Sequence, residues 1–438
     1  MVDRLDIKRY RNRLRQIRLA PIIGRVVETV GLLVKAQGLK LPVGESCLIQ
    51  SRKGVVPAEV IGFHSSQQAL LMVLGDMEGL APGDEILATG RLPSIPVSPS
   101  LLGRVINSMG VPIDSKGQLP YRDEYPIYQS PPPPLTRNSI REIIPTGVCA
   151  IDSLLTLAKG QRVGIFGGSG VGKSILMGMI ARKTMADVNV VALIGERGRE
   201  VEYFANQVLG EEGLAKSVVV VATSDQPALM RIRGAFAATA IAEYFRDQGK
   251  DVLLMMDSVT RFAMAQREVG MTVGEPPTTR GYTPSVFSIL PKLVERSGTS
   301  EGKGSITGVY TVLVEGDDMM EPIADATRSI LDGHIVLSRE LASQGHYPAI
   351  DVLESVSRLM VDIVPHEHLQ ASDQLRNLLA TYRTNQTLIN IGLYRTGSDP
   401  QIDMAVNYRE SISEFLKQKI QDERPYGQSV STLCGMFA

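Results

Sequence analysis

From residue 161 onward the apolar positions gather into short, nearly unbroken runs at 162–166, 189–194, 217–222, 251–256 and 306–314, with longer mixed stretches between them. Runs of Val, Leu and Ile of this length fit strands buried on both faces, and the intervening segments 200–209, 227–247 and 259–268 read as helices. Alternation of this kind predicts a mainly parallel sheet in an α/β core. Upstream the texture differs: runs at 24–35, 46–51, 55–63, 69–74 and 84–89 are separated by glycines and carry β-type residues. A meander of short strands has to close on itself or cover its edges, so a small barrel is expected there. Past about residue 350 the strand-like runs stop, and 369–390 and 400–420 read as helices, the second opened by Asp399 as N-cap with Pro400 in its first turn.

These patterns divide the chain into an N-terminal helix (1–20), a barrel (21–92), an α/β core (93–350) and a helical C-terminal domain (351–438). Pro93, Pro96 and Pro99 mark a linker, and the proline run 131–134 leads into a connection that packs across the surface. In the first segment Ile7, Tyr10, Leu14 and Ile17 recur at helical spacing, flanked by Lys8, Arg11, Arg15 and Arg18. Two readings stand for it: a solvated or frayed terminus, or a basic amphipathic helix that docks on a partner protein or an anionic membrane surface.

Composition narrows the classes. The 438 residues exceed one ordinary domain, and 46 Lys and Arg against 47 Asp and Glu leave a net charge of −1, which gives no global reason to expect a nucleic-acid partner. Cys47, Cys149 and Cys434 are far apart and odd in number, which argues for a reducing compartment and against a disulfide frame or zinc site. No secretory leader and no run of about 18 apolar residues is present, so a cytoplasmic protein is the expectation.

The stretch Gly167, Gly168, Ser169, Gly170, Val171, Gly172, Lys173, Ser174 fits the G-x-x-x-x-G-K-[ST] phosphate-binding pattern and stands between a predicted strand and a predicted helix, the context the motif requires. Glycines let backbone N–H groups approach a triphosphate and tolerate positive φ, and the following helix points its free N–H groups at the phosphates. Lys173 supplies a mobile charge for the β- and γ-oxygens of ATP, and the Ser174 hydroxyl is a hard oxygen suited to Mg²⁺. Asp257 ends an apolar run and is placed either to hold Mg²⁺ through water or to cap the next helix. Glu196, in the cluster Gly195, Glu196, Arg197, Gly198, Arg199, Glu200, stands at a strand end where a carboxylate can polarise an attacking water; plain surface charge is the alternative. Positive charge for a transition state has three candidates, Arg197, Arg261 and Arg358, and periodicity does not choose among them. His366 and His368 flank Glu367 without the spacing that puts two metal ligands on one helical face.

With these blocks in view, the chain resembles the rotary-type hexameric ATPases, which include the catalytic subunits of ATP synthases and the ATPases of type III protein secretion. The matching stretches are GGSGVGKS (167–174), GERGREV (195–201), LLMMDSVTRFAMAQRE (253–268), GEPPTTRGYTPSVFSILPKLVERSG (274–298) and ILDGHIVLSRELA (330–342). Residues 274–298, with GSITGVYTVLVEGDD (304–318) and MEPIADATRSILDG (320–333), are most similar to the flagellar export branch. The resemblance implies a RecA-like P-loop core, preceded by a small β-barrel and followed by a helical domain. It implies ATP and Mg²⁺ as cofactors, with Lys173 and Ser174 at the phosphates and metal, Asp257 as the second acidic Mg²⁺ residue, and Glu196 as the catalytic glutamate. It also implies Arg197 and Arg261 near the γ-phosphate, Arg358 contributed across a subunit boundary, and Tyr347 beside adenine; a second adenine-side aromatic cannot be placed. Because the chain carries both Glu196 and Arg358, a homohexamer suffices to build shared sites.

By the same resemblance the N-terminal helix would dock a regulatory stalk protein and the export gate, at the cytoplasmic face of the inner membrane. Loops within 281–296 would face a central pore, and the helical domain would meet export chaperones and client proteins. The nearest alternative is an injectisome ATPase, the same chemistry serving another export machine. A ring-shaped RNA translocase also pairs a barrel with such a core, but balanced charge and the single aromatic Phe63 in residues 21–92 weigh against it. A nucleotide-binding subunit without turnover is a third reading, which Glu196 opposes.

Overall fold

The computed structural model describes residues 22–65, 68–121, 123–302 and 304–437. The basic N-terminal segment expected as a docking helix lies outside them. Among the described residues, six strands close a barrel: Ile23–Val30, Leu33–Gln37, Ser46–Ser51, Gly54–Ser65, Gln68–Val73 and Glu85–Ala88. The run 24–35 is thus not one strand but a hairpin. Gly31, at φ 56, makes the turn, and Val30 pairs with Leu33. Val26, Val34, Ala36, Ile49, Val60, Leu71 and Ile86 fill the barrel interior, while Leu33, Met72 and Leu74 pack outward against the core domain. That junction also holds a buried ion pair, Arg233 Nη1 to Glu59 Oε1, with Arg233 Nη2 donating to Ser94 O at 2.9 Å. The proline-marked linker is itself structured, since Ser94–Val97 pairs with Asp123–Pro126.

The core is a nine-stranded sheet. From one edge the order is Ile350–Ser357, Gly333–Leu337, Arg162–Gly167, Ser305–Leu313, Asp251–Asp257, Val188–Ile194, Ser217–Ala222 and Arg104–Asn107, with the short Gly298–Thr299 beside Ser305–Leu313. Neighbours from Gly333–Leu337 to Arg104–Asn107 are parallel. Alternation along each central strand feeds two separate cores. Val190, Ala192, Ile194, Val252, Leu254 and Met256 face one side with the helices Ala228–Asp247 and Val259–Thr272. Val191, Leu193, Leu253 and Met255 face the other with the helix Lys173–Lys183 and with Leu375, Ile412 and Leu433 of the C-terminal helices. Burial on both faces is what the unbroken apolar runs require.

The expectation that strands end at about residue 350 is corrected here: Ile350–Ser357 is a strand, antiparallel to Gly333–Leu337. It lies at the sheet edge, and its half-exposed face carries Glu354 and Val356, so its apolar pattern is broken where a central strand's is not. The helix predicted over 200–209 is interrupted as well. An α-turn at Gly198–Tyr203 passes into a π-helical turn at Phe204–Leu209 and then into Gly210–Ala215. The C-terminal helices are His366–Asn390, Pro400–Leu416 and Tyr426–Gly435, and Asp399 Oδ1 caps the second by accepting from Gln401 N at 2.8 Å. No helix among the described residues is long and apolar enough to cross a membrane.

Candidate active site

The strand Arg162–Gly167 runs into the loop 168–172 and out into the helix Lys173–Lys183 at the carboxyl end of the sheet, where ligands of open parallel sheets bind. Positive φ is used at Gly170 (80°) and Gly172 (99°). Gly167 and Gly168 are small for a different reason. A Cβ at Gly167 would lie 3.0 Å from Leu337 and Val171 side-chain carbons, and one at Gly168 would lie 2.5 Å from an Arg339 nitrogen. The Lys173 ammonium is turned back onto the loop, donating to Gly167 O at 2.8 Å and also to Gly168 O. Burial lowers its pKa, against the opposing pull of Asp257 and Glu196.

Two neighbouring strands deliver the acids. The strand Asp251–Asp257 ends with the Asp257 side chain 5% exposed; Thr311 Oγ1 donates to its Oδ1 at 2.6 Å and Ser174 Oγ to its Oδ2 at 3.4 Å. The cap of the following helix is Ser258, whose Oγ accepts from Arg261 N at 3.3 Å, so the Asp257 carboxylate is left facing Ser174. The peptide bond between Asp257 and Ser258 is cis. Burial raises the Asp257 pKa, opposed by Thr311 and Lys173.

Beyond the end of Val188–Ile194, Glu196 is half-buried beside Glu200 and Arg261. Burial, a hydrogen bond to Glu200 and the charge of Asp257 push its carboxyl up, while Arg261 opposes them. The Arg261 side chain lies against Gly195, where a Cβ would meet Arg261 Cβ at 2.7 Å. The Arg197 side chain is exposed, and its carbonyl accepts from Glu200 N at 2.8 Å. Lys173, Ser174, Glu196, Asp257 and Arg261 therefore share one corner. Glu200 belongs to it too and was not singled out in the sequence, although its i,i+4 spacing from Glu196 on a helix start was readable.

Arg358 is not brought to this corner. Val163 pairs with Gly333 and Gly333 with Ser357, so Arg358, one residue further, sits level with Arg162 at the opposite end of the loop strand from Gly167, about 16 Å away along it at ~3.3 Å per residue. Its side chain is exposed and its N donates to Asp332 O at 3.0 Å.

Tyr347, 49% exposed, lines a cavity of about 760 Å³ with Val171, Gly172 and Ile175 on the loop side. Its far wall is Lys417–Asp422, the turn after the helix Pro400–Leu416. That turn is fastened by the buried Gln418, whose Oε1 accepts from Cys149 N at 2.8 Å and whose Nε2 donates to Gly147 O at 2.9 Å. The wall opposite Tyr347 carries no aromatic ring but Gln418 and Ile420.

Hydroxyl and carboxylate oxygens opposite a lysine suit a hard cation shared with phosphates. Among the described residues no group of three or more His, Cys, Asp or Glu side chains stands ready to hold a metal alone.

The fold and this corner define a P-loop nucleotide-binding protein of the α/β class. Family models match along the chain: the β-barrel domain of the ATP synthase alpha/beta family at residues 26–90, its nucleotide-binding domain at 147–357, and the T3SS EscN ATPase C-terminal domain at 364–435. The flagellum-specific ATP synthase of Bacillus subtilis is 53% identical over 94% of this chain and 94% of its own. The type 3 secretion system ATPase of Xanthomonas euvesicatoria is 50% identical over 94% and 93%. The assembled ATPase EscN of the enteropathogenic E. coli type III secretion system superposes with a TM-score of 0.90 at 46% identity, covering 95% of this chain and 100% of that one. The chain belongs to the ATP synthase alpha/beta family, in the group of flagellum-specific ATP synthases and type III secretion ATPases.

Proposed function

We propose that the chain is a Mg²⁺-dependent ATP hydrolase that works as a homohexameric ring and energises export of flagellar proteins through a type III apparatus. The observation that carries the hydrolase reading is the meeting of Ser174, Asp257 and Lys173 at the phosphate loop, with Glu196 at the neighbouring strand end. Lys173 exchanges its loop carbonyls for the β- and γ-oxygens when the triphosphate enters. Ser174, and Asp257 through water, would hold Mg²⁺, which would neutralise phosphate charge. Glu196, as carboxylate, accepts a hydrogen bond from the attacking water and aligns it with the γ-phosphorus, while Arg261 and Arg197 supply positive charge on the same side. Arg358 acts on the site of the adjoining subunit, and Tyr347 stacks on adenine.

Assembly is supported by EscN, whose structures include the assembled ATPase and its complex with the central stalk EscO. A stalk partner at the N-terminal segment, an export gate, chaperones and clients at the helical domain, and a cytoplasmic location with peripheral docking at the inner membrane complete the proposal. Identity to relatives of both branches keeps the injectisome ATPase as a second reading. Deletion separates them: loss of filament growth supports the first, loss of effector secretion the second. The hydrolase reading is tested by comparing wild type and Glu196→Gln at matched nucleotide binding, with mass measured in parallel. Turnover should rise as hexamers appear and be lost in Glu196→Gln; equal inactivity of both proteins when assembled overturns it.

A further inference from the structure

The phosphate loop has a neighbour that neither the motif nor the roles above use. The strand Gly333–Leu337 runs parallel to the loop strand, with Val336 opposite Phe166, and so delivers the next residues to the loop. Ser338 caps the short helix Arg339–Ser343, its Oγ accepting from Leu341 N at 3.3 Å, and Arg339 projects from the first position. A Cβ at Gly168 would lie 2.5 Å from an Arg339 terminal nitrogen and 3.0 Å from Asp317 Oδ1. Arg339 Nε donates to Asp317 Oδ2 at 3.3 Å, and both side chains are about half exposed, at 60% and 47%.

Asp317 is presented by a turn that is itself pinned. Val314 N donates to Gly167 O at 3.2 Å, Gly316 and Asp317 take φ of 66° and 58°, and the adjoining Asp318 accepts from Arg280 at 2.8 Å. The Gly167–Gly168 peptide is therefore approached by Lys173, by the Val314 amide and by an arginine whose charge an aspartate half-cancels.

We propose that Arg339 is a positioning residue for nucleotide phosphates, held over Gly168 by Asp317 and released from it toward the phosphates when nucleotide binds. This rests on the ATPase reading. Asp317 competes with the incoming anion for one guanidinium, so the two side chains act with opposite sign on affinity. An exposed ion pair of this kind is weak enough to exchange, and its competition fades as salt screens it.

The experiment is equilibrium binding of ADP and ATP to the full chain carrying Arg339→Gln, Asp317→Asn or both, with turnover measured beside it. Arg339→Gln weakens nucleotide binding by about tenfold, and Asp317→Asn tightens it by about threefold, magnitudes typical of one charge contact and one exposed pair. The tightening disappears in the Arg339→Gln background, and KM moves more than kcat. A merely structural pair predicts that both single variants weaken binding; that result, or an Asp317→Asn effect that persists without Arg339, overturns the proposal alone. A wild-type chain that binds no nucleotide overturns the ATPase reading and this proposal together. Arg339→Lys, which keeps the charge, recovers most of the affinity if charge is what matters, and failure of that rescue with intact folding also overturns it.

Discussion

Glu196 and Glu200 stand side by side at the start of the helix Gly198–Tyr203, close enough for one carboxyl to donate its proton in a hydrogen bond to the other. Glu196 is the member that keeps it: burial raises its carboxyl, and the same bond lowers that of Glu200. The ionised form of Glu196 is the one that polarises an attacking water and can take its proton. In the free enzyme kcat/KM should therefore climb with pH through a limb lying above the usual carboxylate range. In Glu200→Gln the amide favours the carboxylate of Glu196, and the limb moves to lower pH whatever happens to the maximum rate. A pH profile of kcat/KM for the two proteins decides it; an unmoved limb removes Glu196 as the titrating group.

The separation of Arg358 from its own chain's phosphate loop makes a statement about assembly. Arg358→Ala should bind ATP with near wild-type affinity and hydrolyse it poorly, by a factor on the order of 10³ if it serves as a trans arginine. Mixing Glu196→Gln with Arg358→Ala subunits should restore part of the activity, because some boundaries then pair two intact halves. Verified mixed rings without any recovery would show that the site is not shared.

Much of this architecture was legible because the responsible forces are local. The runs at 189–194 and 251–256 predicted strands that the structure gives as Val188–Ile194 and Asp251–Asp257, since both faces of each are buried and nothing interrupts the pattern. Ile350–Ser357 escaped because an edge strand exposes alternate polar groups and reads like a loop. Within the site, the loop glycines and Asp257 stand in contiguous motifs. Gln418 and Arg339 reach it through tertiary pairing, across separations such as the 269 residues between Cys149 and Gln418, and no spacing in the chain announces that.

The cavity beside Tyr347 yields a prediction that separates base from phosphate recognition. Stacking of a base on an aromatic ring is worth about 1–3 kcal/mol, so Tyr347→Ala should weaken ATP binding by roughly tenfold or more while leaving inorganic tripolyphosphate unchanged. Ile420→Ala, on the opposite wall, should act in the same direction and less strongly. Competition titrations with both ligands measure it. Equal losses for ATP and tripolyphosphate would mean that the cavity does not hold the base.

Arg104 and Asp114 supply a stability prediction with a definite pH sign. Arg104 Nε and Nη2 donate to Asp114 Oδ2 and Oδ1 at 2.7 and 2.8 Å, and the same carboxylate accepts from Val105 N at 3.0 Å and Lys116 N at 3.1 Å. The pair fastens the edge strand Arg104–Asn107 to the turn that follows it, with 10% and 6% of the two side chains exposed. The Arg104 hydrogen bond, aided by those backbone donors, holds the Asp114 carboxyl well below the usual range despite burial. Because the folded value lies below the unfolded one, the stabilisation is complete above the ordinary carboxylate value near 4 and is lost as pH falls through the folded value. Asp114→Asn should thus cost about 1–3 kcal/mol at neutral pH, since it leaves a poorly solvated guanidinium without its counter-charge. Urea titrations of the two proteins should show that difference constant from neutral pH to about 4 and shrinking below it, where the wild-type carboxylate also takes up its proton. A difference that already fades between pH 7 and 5 would mean that the pair does not hold Asp114 ionised in the folded chain.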